Sequence, residues 1–213
     1  MREFQRVIGR VGCHGGYFFC GATRVVGILF RRVGVTLALA CALLPAAGVR
    51  AATFVVDSFE NWADAEPGNG VCADSQGLCT LRAAITEANA SPTDDTITFA
   101  VSGTIVLVAP LPEVADASTA GTLEIDGGGR VTVSGNDTVR ILSVADGGHL
   151  TLRNIQLERG RADEGGAIYS SWSGTLSVEN STFSGNSASN GGAIYSRTGT
   201  LSVQNSTFSG NSA

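Results

Sequence analysis

The sequence predicts an all-β protein, a right-handed parallel β-helix of about 25 residues per coil with an amphipathic helix capping its N-terminal end. Three observations lead to this fold class. A unit of about 25 residues recurs in the second half of the chain, apolar residues alternate within it as in strands, and a helical apolar pattern precedes the repeats. We therefore divide the chain into an export signal (1–51), an N-terminal cap (52–96) and β-helix coils (97–213).

The composition excludes several classes of protein. The chain has 213 residues, a net charge of −5, 43% hydrophobic residues and 28 glycines without a collagen-like period, so it is not a disordered acidic tail. All 14 basic residues are arginine, and no basic patch lies in the body of the chain. This distribution argues against nucleic acid as a partner.

The first 51 residues have the layout of a secretory signal. Six arginines precede the apolar run Val33–Gly48, and the small-x-small sequence Val49–Ala51 follows it. The alternative is a membrane anchor, but the run contains Pro45 and is shorter than the roughly 20 residues that span a bilayer. We therefore expect cleavage before Ala52 and a protein that is secreted or displayed on a bacterial surface. The remaining chain has a net charge of −11.

Two cysteines remain after the signal, Cys72 and Cys79, and they predict a disulfide in an oxidising compartment. A metal site is the alternative, but two thiols without a nearby histidine make a poor zinc site. We expect no metal and no cofactor.

The repeats define the coil. Residues 165–188 and 191–213 are nearly identical, and weaker copies begin at Gly121 and Leu150. Three short strands and three turns fit each unit, whereas a helix of 10–12 residues does not, although the spacing alone does not fix the hand of the coil. Because stacked coils lie about 4.8 Å apart, equivalent side chains form inward stacks. The predicted repeat core comprises Leu150, Leu152, Leu157, Ile168, Leu176, Val178, Phe183, Ile194, Leu201, Val203 and Phe208.

Asparagines recur at two places in the unit. Asn154, Asn180 and Asn205 follow a strand, where asparagine tolerates left-handed backbone and can bond the next coil as a ladder. Asn186 and Asn211 recur in the same way near the end of the unit. Asn180 also begins a glycosylation acceptor sequence, but its recurrence in the repeat favours the structural role.

Two paired motifs carry a resemblance to a known family. GGAI occurs at Gly165–Ile168 and Gly191–Ile194, and FxxN occurs at Phe183–Asn186 and Phe208–Asn211. Together they resemble the repeats of polymorphic outer membrane proteins, which are bacterial, surface-displayed and autotransporter-like. The resemblance implies an adhesin-like passenger that an anchor further along the chain attaches to the outer membrane. Since Ala213 falls in mid-period, we expect that the sequence is a fragment or comes from a truncated gene.

The segment before the coils carries a second resemblance. Cys79–Ile85 resembles the CSLREA domain, which is found at the start of bacterial surface β-helix proteins, with Thr80 and Ala83 as departures from the motif. The flanking sequences Phe54–Asp57 and Glu87–Ala90 fit the same pattern.

A helix over residues 80–90 follows from the residues themselves. Thr80 is a good N-cap, Ser91-Pro92 ends the helix, and the apolar positions share one face. We predict that this helix covers the open end of the solenoid, which would otherwise expose strand edges. The alternative is that the helix and the disulfide form a binding site. The predicted face consists of Leu81, Ala84, Ile85 and Ala88.

Candidate catalytic residues are few. A glycosidase needs two facing carboxylates, but Asp94 and Asp95 are strand neighbours that point in opposite directions. The remaining candidates do not form a recurring group, and the arginines are expected on a solvated face. We therefore expect no catalytic residue. The weaker candidates are Asp126, Asp137, Arg153, Arg159, Arg161, Asp163 and Glu164.

Two functions follow from these observations. The first is a non-enzymatic, exported surface protein, either adhesin-like or structural, whose ligand is a host protein or a polysaccharide. The second is a carbohydrate-active β-helix lyase or hydrolase whose active coils are missing.

Overall fold

The protein is described by a computed structural model that covers residues 50–213, so the predicted signal segment lies almost entirely outside the described residues. The described chain contains helices Leu81–Ala90 (α1) and Ala117–Ala120 (α2). Its strands are Thr53–Val56 (β1), Asp95–Phe99 (β2), Gly103–Val106 (β3), Leu123–Ser134 (β4), Leu142–Val144 (β5), His149–Glu158 (β6), Ile168–Ser170 (β7), Thr175–Glu179 (β8), Thr182–Ser184 (β9), Ile194–Ser196 (β10), Thr200–Gln204 (β11) and Thr207–Ser209 (β12).

The strands form two sheets in which every pairing is parallel. The long sheet has the order β1-β2-β4-β6-β8-β11, with β3 on β4 and β9 between β6 and β12. The short sheet has the order β5-β7-β10. Each strand therefore pairs with its equivalent in the next turn, and the chain is a parallel β-solenoid of about four turns. The prediction of a parallel β-helix is confirmed at this level.

The register follows the repeat in the sequence. Leu150 pairs with Leu176, and Leu176 pairs with Leu201. The rings of Phe183 and Phe208 stack with centroids 4.8 Å apart and planes 4° apart, so equivalent side chains lie directly over one another. The stacking distance equals the spacing between strands in a sheet.

The inward stacks form one continuous core. Seven of the predicted core residues are at most 1% exposed: Leu150, Leu152, Leu157, Ile168, Leu176, Val178 and Phe183. In the last described coil, Leu201, Val203 and Phe208 keep the predicted register over Leu176, Val178 and Phe183 but are 43%, 42% and 45% exposed. Ile194 is only partly buried. These side chains have a neighbouring coil on one side only among the described residues, so half of each stack is uncovered.

Steric constraints explain why the first two positions of the GGAI motif are glycine. Gly165 has φ +61°, and a Cβ there would lie 2.1 Å from the Ile168 carbonyl oxygen. A Cβ on Gly166 would lie 2.2 Å from the carbonyl oxygen of Gly192 in the next coil. The first glycine therefore permits the turn, and the second permits the close approach of successive coils.

The asparagine ladder occurs at the FxxN positions. Asn186 is fully buried; its Oδ1 accepts from Gly160 N (2.7 Å), and its Nδ2 donates to Leu157 O (3.1 Å) and Asn211 Oδ1 (2.9 Å). Asn211 repeats the pattern by donating to Phe183 O (2.9 Å).

The other set of asparagines does not form the expected ladder. Asn154, Asn180 and Asn205 have φ of 51°, 48° and 50°, which is the left-handed region that asparagine tolerates. Their shared role is therefore the turn itself. Ladder bonds at this turn come instead from the next residue, since Ser181 N donates to Ser206 Oγ (3.1 Å). The side chain of Asn154 bonds Asp126 (2.9 Å), not an equivalent asparagine.

Helix α1 begins one residue after Thr80, whose hydroxyl accepts from Ala83 N at 3.0 Å as an N-cap. The four residues of the predicted apolar face are buried, and Ala83 and Glu87 are buried with them, so the covered face is wider than predicted. The helix contacts β1 and β2. Within residues 50–213, neither helix has the length and apolar character needed to cross a membrane.

Candidate interaction surface

The outward face of the long sheet carries rows of small polar side chains. Thr151, Ser177 and Ser202 are in register, and so are Thr182 and Thr207 on the adjoining strands. These rows present hydroxyl groups at the spacing of the coils. Such a wall offers hydrogen bonds over a large area and no single reactive group.

A charged row interrupts this wall. Arg153 Nη1 lies 2.8 Å from Glu179 Oε2 in the next coil, and its Nε lies 3.4 Å from Glu124 Oε2 in the preceding coil. Arg153 therefore joins three successive turns, and its side chain is 40% exposed, as predicted for a solvated face. Gln204 is in register with Glu179. This pair is the one difference between the near-identical segments Gly174–Ala188 and Gly199–Ala213.

Arg159 and Arg161 lie beyond this row. Arg159 Nε donates to Asp137 at 2.8 Å, and this hydrogen bond to the carboxylate raises the pKa of Arg159. Both side chains are exposed, so the pair adds little to stability. Arg161 is exposed, as predicted for a solvated face.

The short sheet carries an aromatic–arginine strip, which consists of Arg140, Tyr169, Trp172, Tyr195 and Arg197. The rings of Tyr169 and Tyr195 stack with centroids 5.9 Å apart, and the guanidinium of Arg140 lies 5.1 Å from the Tyr169 centroid. Arg197 lies 4.5 Å from the centroid of Trp172, which is 53% exposed. The strip combines aromatic surface with two cations that make no ion pair within residues 50–213.

Sequence reasoning missed this strip, although a signal was present. Tyr169 and Tyr195 occupy the same place in the two GGAIY segments, and an outward row of tyrosines follows from that recurrence. Arg140 is less easily found, because it lies before the repeats and reaches Glu164 O (2.8 Å) in the next coil. Tyr169 thus contacts Arg140 as well as Tyr195, and its side chain is half-buried.

The N-terminal end is held by the predicted disulfide, which is confirmed. Cys72 and Cys79 are bonded, with Cα atoms 5.0 Å apart. Asp57, just after β1, accepts from Cys79 N (2.9 Å), and its own N–H donates to Cys79 O (3.1 Å). The disulfide loop is therefore bound to the end of the first strand. Thr80 adds a further tie by donating to Trp62 O (2.7 Å).

Arg82 links the loop to the first coil. Its Nε donates to Asn61 Oδ1 and its Nη2 to Ala109 O, both at 2.8 Å. Partial burial lowers the pKa of Arg82, although it remains charged at neutral pH.

Two buried carboxylates lie near a cleft at this end. Glu87 is 1% exposed and accepts from Gly68 N (2.6 Å) and Gly70 N (2.7 Å), so it anchors the loop to α1. Asp95 is 2% exposed and accepts from Ala52 N (2.7 Å) and Thr93 Oγ1 (2.9 Å). The cleft has a volume of about 400 Å³, and its lining includes Arg50, Ala52, Gly68, Gly70, Glu87 and Pro92.

Asp94 and Asp95 do not form a catalytic pair. Asp94 is exposed, and the hydrogen bond from Thr122 N (2.9 Å) lowers the pKa of its carboxyl, whereas Asp95 is buried on the opposite side of the chain.

Of the other candidate acids, Asp126 is bonded through its carboxylate, whereas Asp163 and Glu164 are bonded through their main-chain carbonyls. Asp126 accepts from Gly128 N and Asn154 Nδ2, both at 2.9 Å. The carbonyl of Asp163 accepts from Ser189 N and Asn190 N, and the carbonyl of Glu164 accepts from Arg140. Within residues 50–213, no three His, Cys, Asp or Glu side chains cluster as metal ligands would.

The comparison with protein families agrees with the repeat motifs. Residues 180–197 match the Chlamydia polymorphic membrane protein repeat. The match runs from the FxxN motif at Phe183–Asn186 through the GGAI motif at Gly191–Ile194, so it covers the ladder asparagine and the close-approach glycine. No curated protein and no solved structure shows significant similarity to the chain. The described chain is therefore a β-solenoid that contains a polymorphic membrane protein-type repeat.

Proposed function

We propose that this chain belongs to an exported, non-enzymatic bacterial surface protein whose β-helix is an adhesin-like or structural passenger. The observation that carries the proposal is the match of residues 180–197 to a polymorphic membrane protein repeat, in a region where each motif residue has a stacking role. The match favours an outer-membrane, autotransporter-type location. A signal over residues 1–51 would provide the export step.

The first 45 residues of the mature chain act, in this proposal, as a CSLREA-like cap. The face of α1 that holds Leu81, Ala84 and Ile85 belongs to the same apolar core as the coils, and the disulfide loop is tied to β1 and to the first coil. The helix would thus cover the open end of the solenoid, as terminal units of repeat proteins do. We also assign the coil a right hand, because crossovers between parallel strands are almost always right-handed.

The aromatic–arginine strip is the surface that we assign to ligand contact. Aromatic side chains and arginine are enriched where proteins bind one another, because they combine large contact area with directed hydrogen bonds. Within residues 50–213 the strip's two arginines make no ion pair, while the mature chain has a net charge of −11, so the strip is a locally cationic site on an acidic protein. A host protein or an acidic polysaccharide would fit it.

The non-enzymatic part of the proposal rests on the candidate acids. Asp126 and Asp137 are engaged in side-chain bonds within the fold, and Asp94 and Asp95 lie on opposite sides of the chain. A retaining or inverting glycosidase needs two carboxylates that face one another across the sugar.

The test has two parts. Whole cells that express the complete gene are treated with a protease and labelled with an antibody against the coils; loss of label after protease treatment is expected, and label that appears only after lysis would contradict surface display. Binding of the purified protein to hyaluronan, polygalacturonate and fixed epithelial cells is then compared between the wild type and the variants Arg197→Ala and Trp172→Ala. Thr182→Ala, on the other sheet, is the matched control. Depolymerisation of either polysaccharide would favour the carbohydrate-active alternative.

A further inference from the structure

Asp95 has a buried carboxyl group for which the described chain provides no cation. It is 2% exposed, and its Oδ2 has no hydrogen-bond partner. Its Oδ1 accepts from the neutral donors Ala52 N (2.7 Å) and Thr93 Oγ1 (2.9 Å). Within residues 50–213, no arginine or histidine lies within ion-pair distance of it. A buried carboxylate without a cation raises the free energy of the folded state, so a positively charged partner for Asp95 would stabilise the fold.

The nearest donor to Asp95 is the main-chain nitrogen of Ala52, and cleavage of the signal before Ala52 would convert this nitrogen into a cation. Ala52 follows the small-x-small sequence that ends at Ala51. Hydrolysis of the Ala51–Ala52 peptide bond consumes one water; Ala51 leaves with the new carboxylate, and Ala52 keeps the nitrogen as an α-ammonium. The nitrogen that now donates one hydrogen bond to Asp95 would then carry a positive charge and three N–H donors.

We propose that Asp95 is the receptor for the processed N-terminus and that the α-ammonium of Ala52 forms a buried ion pair with it. This inference rests on the proposed export of the chain and adds a site to it. The pair would fasten the beginning of β1 to β2, where the first strand of the solenoid meets its neighbour, since Thr53 is in register with Thr96.

The surrounding contacts hold Ala52 in place without the preceding residues. The carbonyl of Ala52 accepts from Thr96 N at 2.9 Å, so its position does not depend on residues 50 and 51. Arg50 and Ala51 are exposed, and the carbonyl of Arg50 accepts only the long 3.3 Å bond from Thr93 Oγ1. Their removal leaves the shorter bond from Thr93 to Asp95 intact.

The first test is the mass of the protein that a Gram-negative host exports from the complete gene. A mature chain that begins at Ala52 is expected. A chain that begins at any other residue has no ammonium beside Asp95 and would overturn the inference while leaving export intact. An unprocessed chain that stays in the cytoplasm would count against both the inference and the proposed function.

The second test isolates the charge of the N-terminus. The chain has no lysine, so an amine acetylating reagent modifies the α-amino group alone. Acetyl-Ala52 keeps its N–H donor and loses only the charge. The mature protein is acetylated in denaturant, refolded and melted beside the unmodified protein. Acetylation is expected to lower the midpoint of thermal unfolding by about 5–15 °C in the wild type.

Two variants complete the comparison. In Asp95→Asn the acetylated and free forms should melt together, whereas the exposed control Asp94→Asn should respond to acetylation as the wild type does. In the folded state, the amine of Asp95→Asn should react at least about tenfold faster than that of the wild type, because the ion pair no longer protects it. Equal effects of acetylation in all three proteins, or no effect in any, would refute the ion pair.

Discussion

Replacing Asn186 by alanine tests how the FxxN asparagine holds successive coils together. The side chain is fully buried and makes three hydrogen bonds, to Gly160 N, Leu157 O and Asn211 Oδ1. Alanine leaves Gly160 N without this partner in the interior and removes one of the bonds to Leu157 O. Since each buried unsatisfied group costs about 1–3 kcal/mol, we expect the free energy of unfolding to fall by about 3–5 kcal/mol.

The matched control is Asn180, which recurs with the same period. Its φ of 48° means that it contributes through the backbone conformation of the turn. Glycine adopts this conformation readily, so Asn180→Gly should change stability by only a few tenths of a kcal/mol, whereas Asn180→Ala should cost about 1–2 kcal/mol. Asn186→Gly should be at least as damaging as Asn186→Ala.

Urea unfolding followed by circular dichroism measures all four variants. The expected order of stability is wild type and Asn180→Gly, then Asn180→Ala, and then the Asn186 variants. If Asn186→Ala costs less than about 1 kcal/mol, or if Asn180→Gly is as damaging, the assignment of the ladder to the FxxN position is refuted.

Three further predictions use the same unfolding assay. Phe183→Ala should cost about 3–5 kcal/mol, because the ring is fully buried in the stack; a melt that matches the wild type would mean that the inward stack is misassigned. Gln204→Glu places a second carboxylate in register with Glu179 and should cost about 0.2–1 kcal/mol, with the loss disappearing in 1 M salt; a salt-independent loss would exclude repulsion as its cause. Replacing both Cys72 and Cys79 by serine should lower the free energy of unfolding by about 2–3 kcal/mol, as expected for a disulfide that closes a loop with a sequence separation of 7. If the double variant melts like the wild type, and free thiols can be titrated in the wild type, the disulfide does not form.

The difference between Glu179 and Gln204 illustrates how stacking constrains a repeat. Apolar and hydroxyl side chains recur unchanged because like groups pack or bond well on top of one another. Two glutamates in register would repel, and Arg153 already balances the first of them at 2.8 Å. A neutral side chain at position 204 therefore avoids this repulsion, whereas a second glutamate would incur it.

The coil could be predicted from the sequence alone. Few backbone folds satisfy a period of about 25 residues, alternating apolar positions and recurring glycine pairs together. A solenoid does, because it stacks equivalent side chains of successive coils on one another. The N-cap at Thr80 and the pairing of Cys72 with Cys79 were also predictable, since both depend on residues that are close in the chain.

Which recurring residues bond between coils became clear only from the folded chain. Asn180 and Asn186 recur equally well in sequence, and what separates them is the direction of each side chain relative to the solenoid axis, which no periodicity records. The burial of Asp95 beside Ala52 was likewise not predictable, because the fold brings together two residues that are 43 positions apart in the chain. Charge balance across coils, as at Arg153, likewise arises only when the turns are stacked.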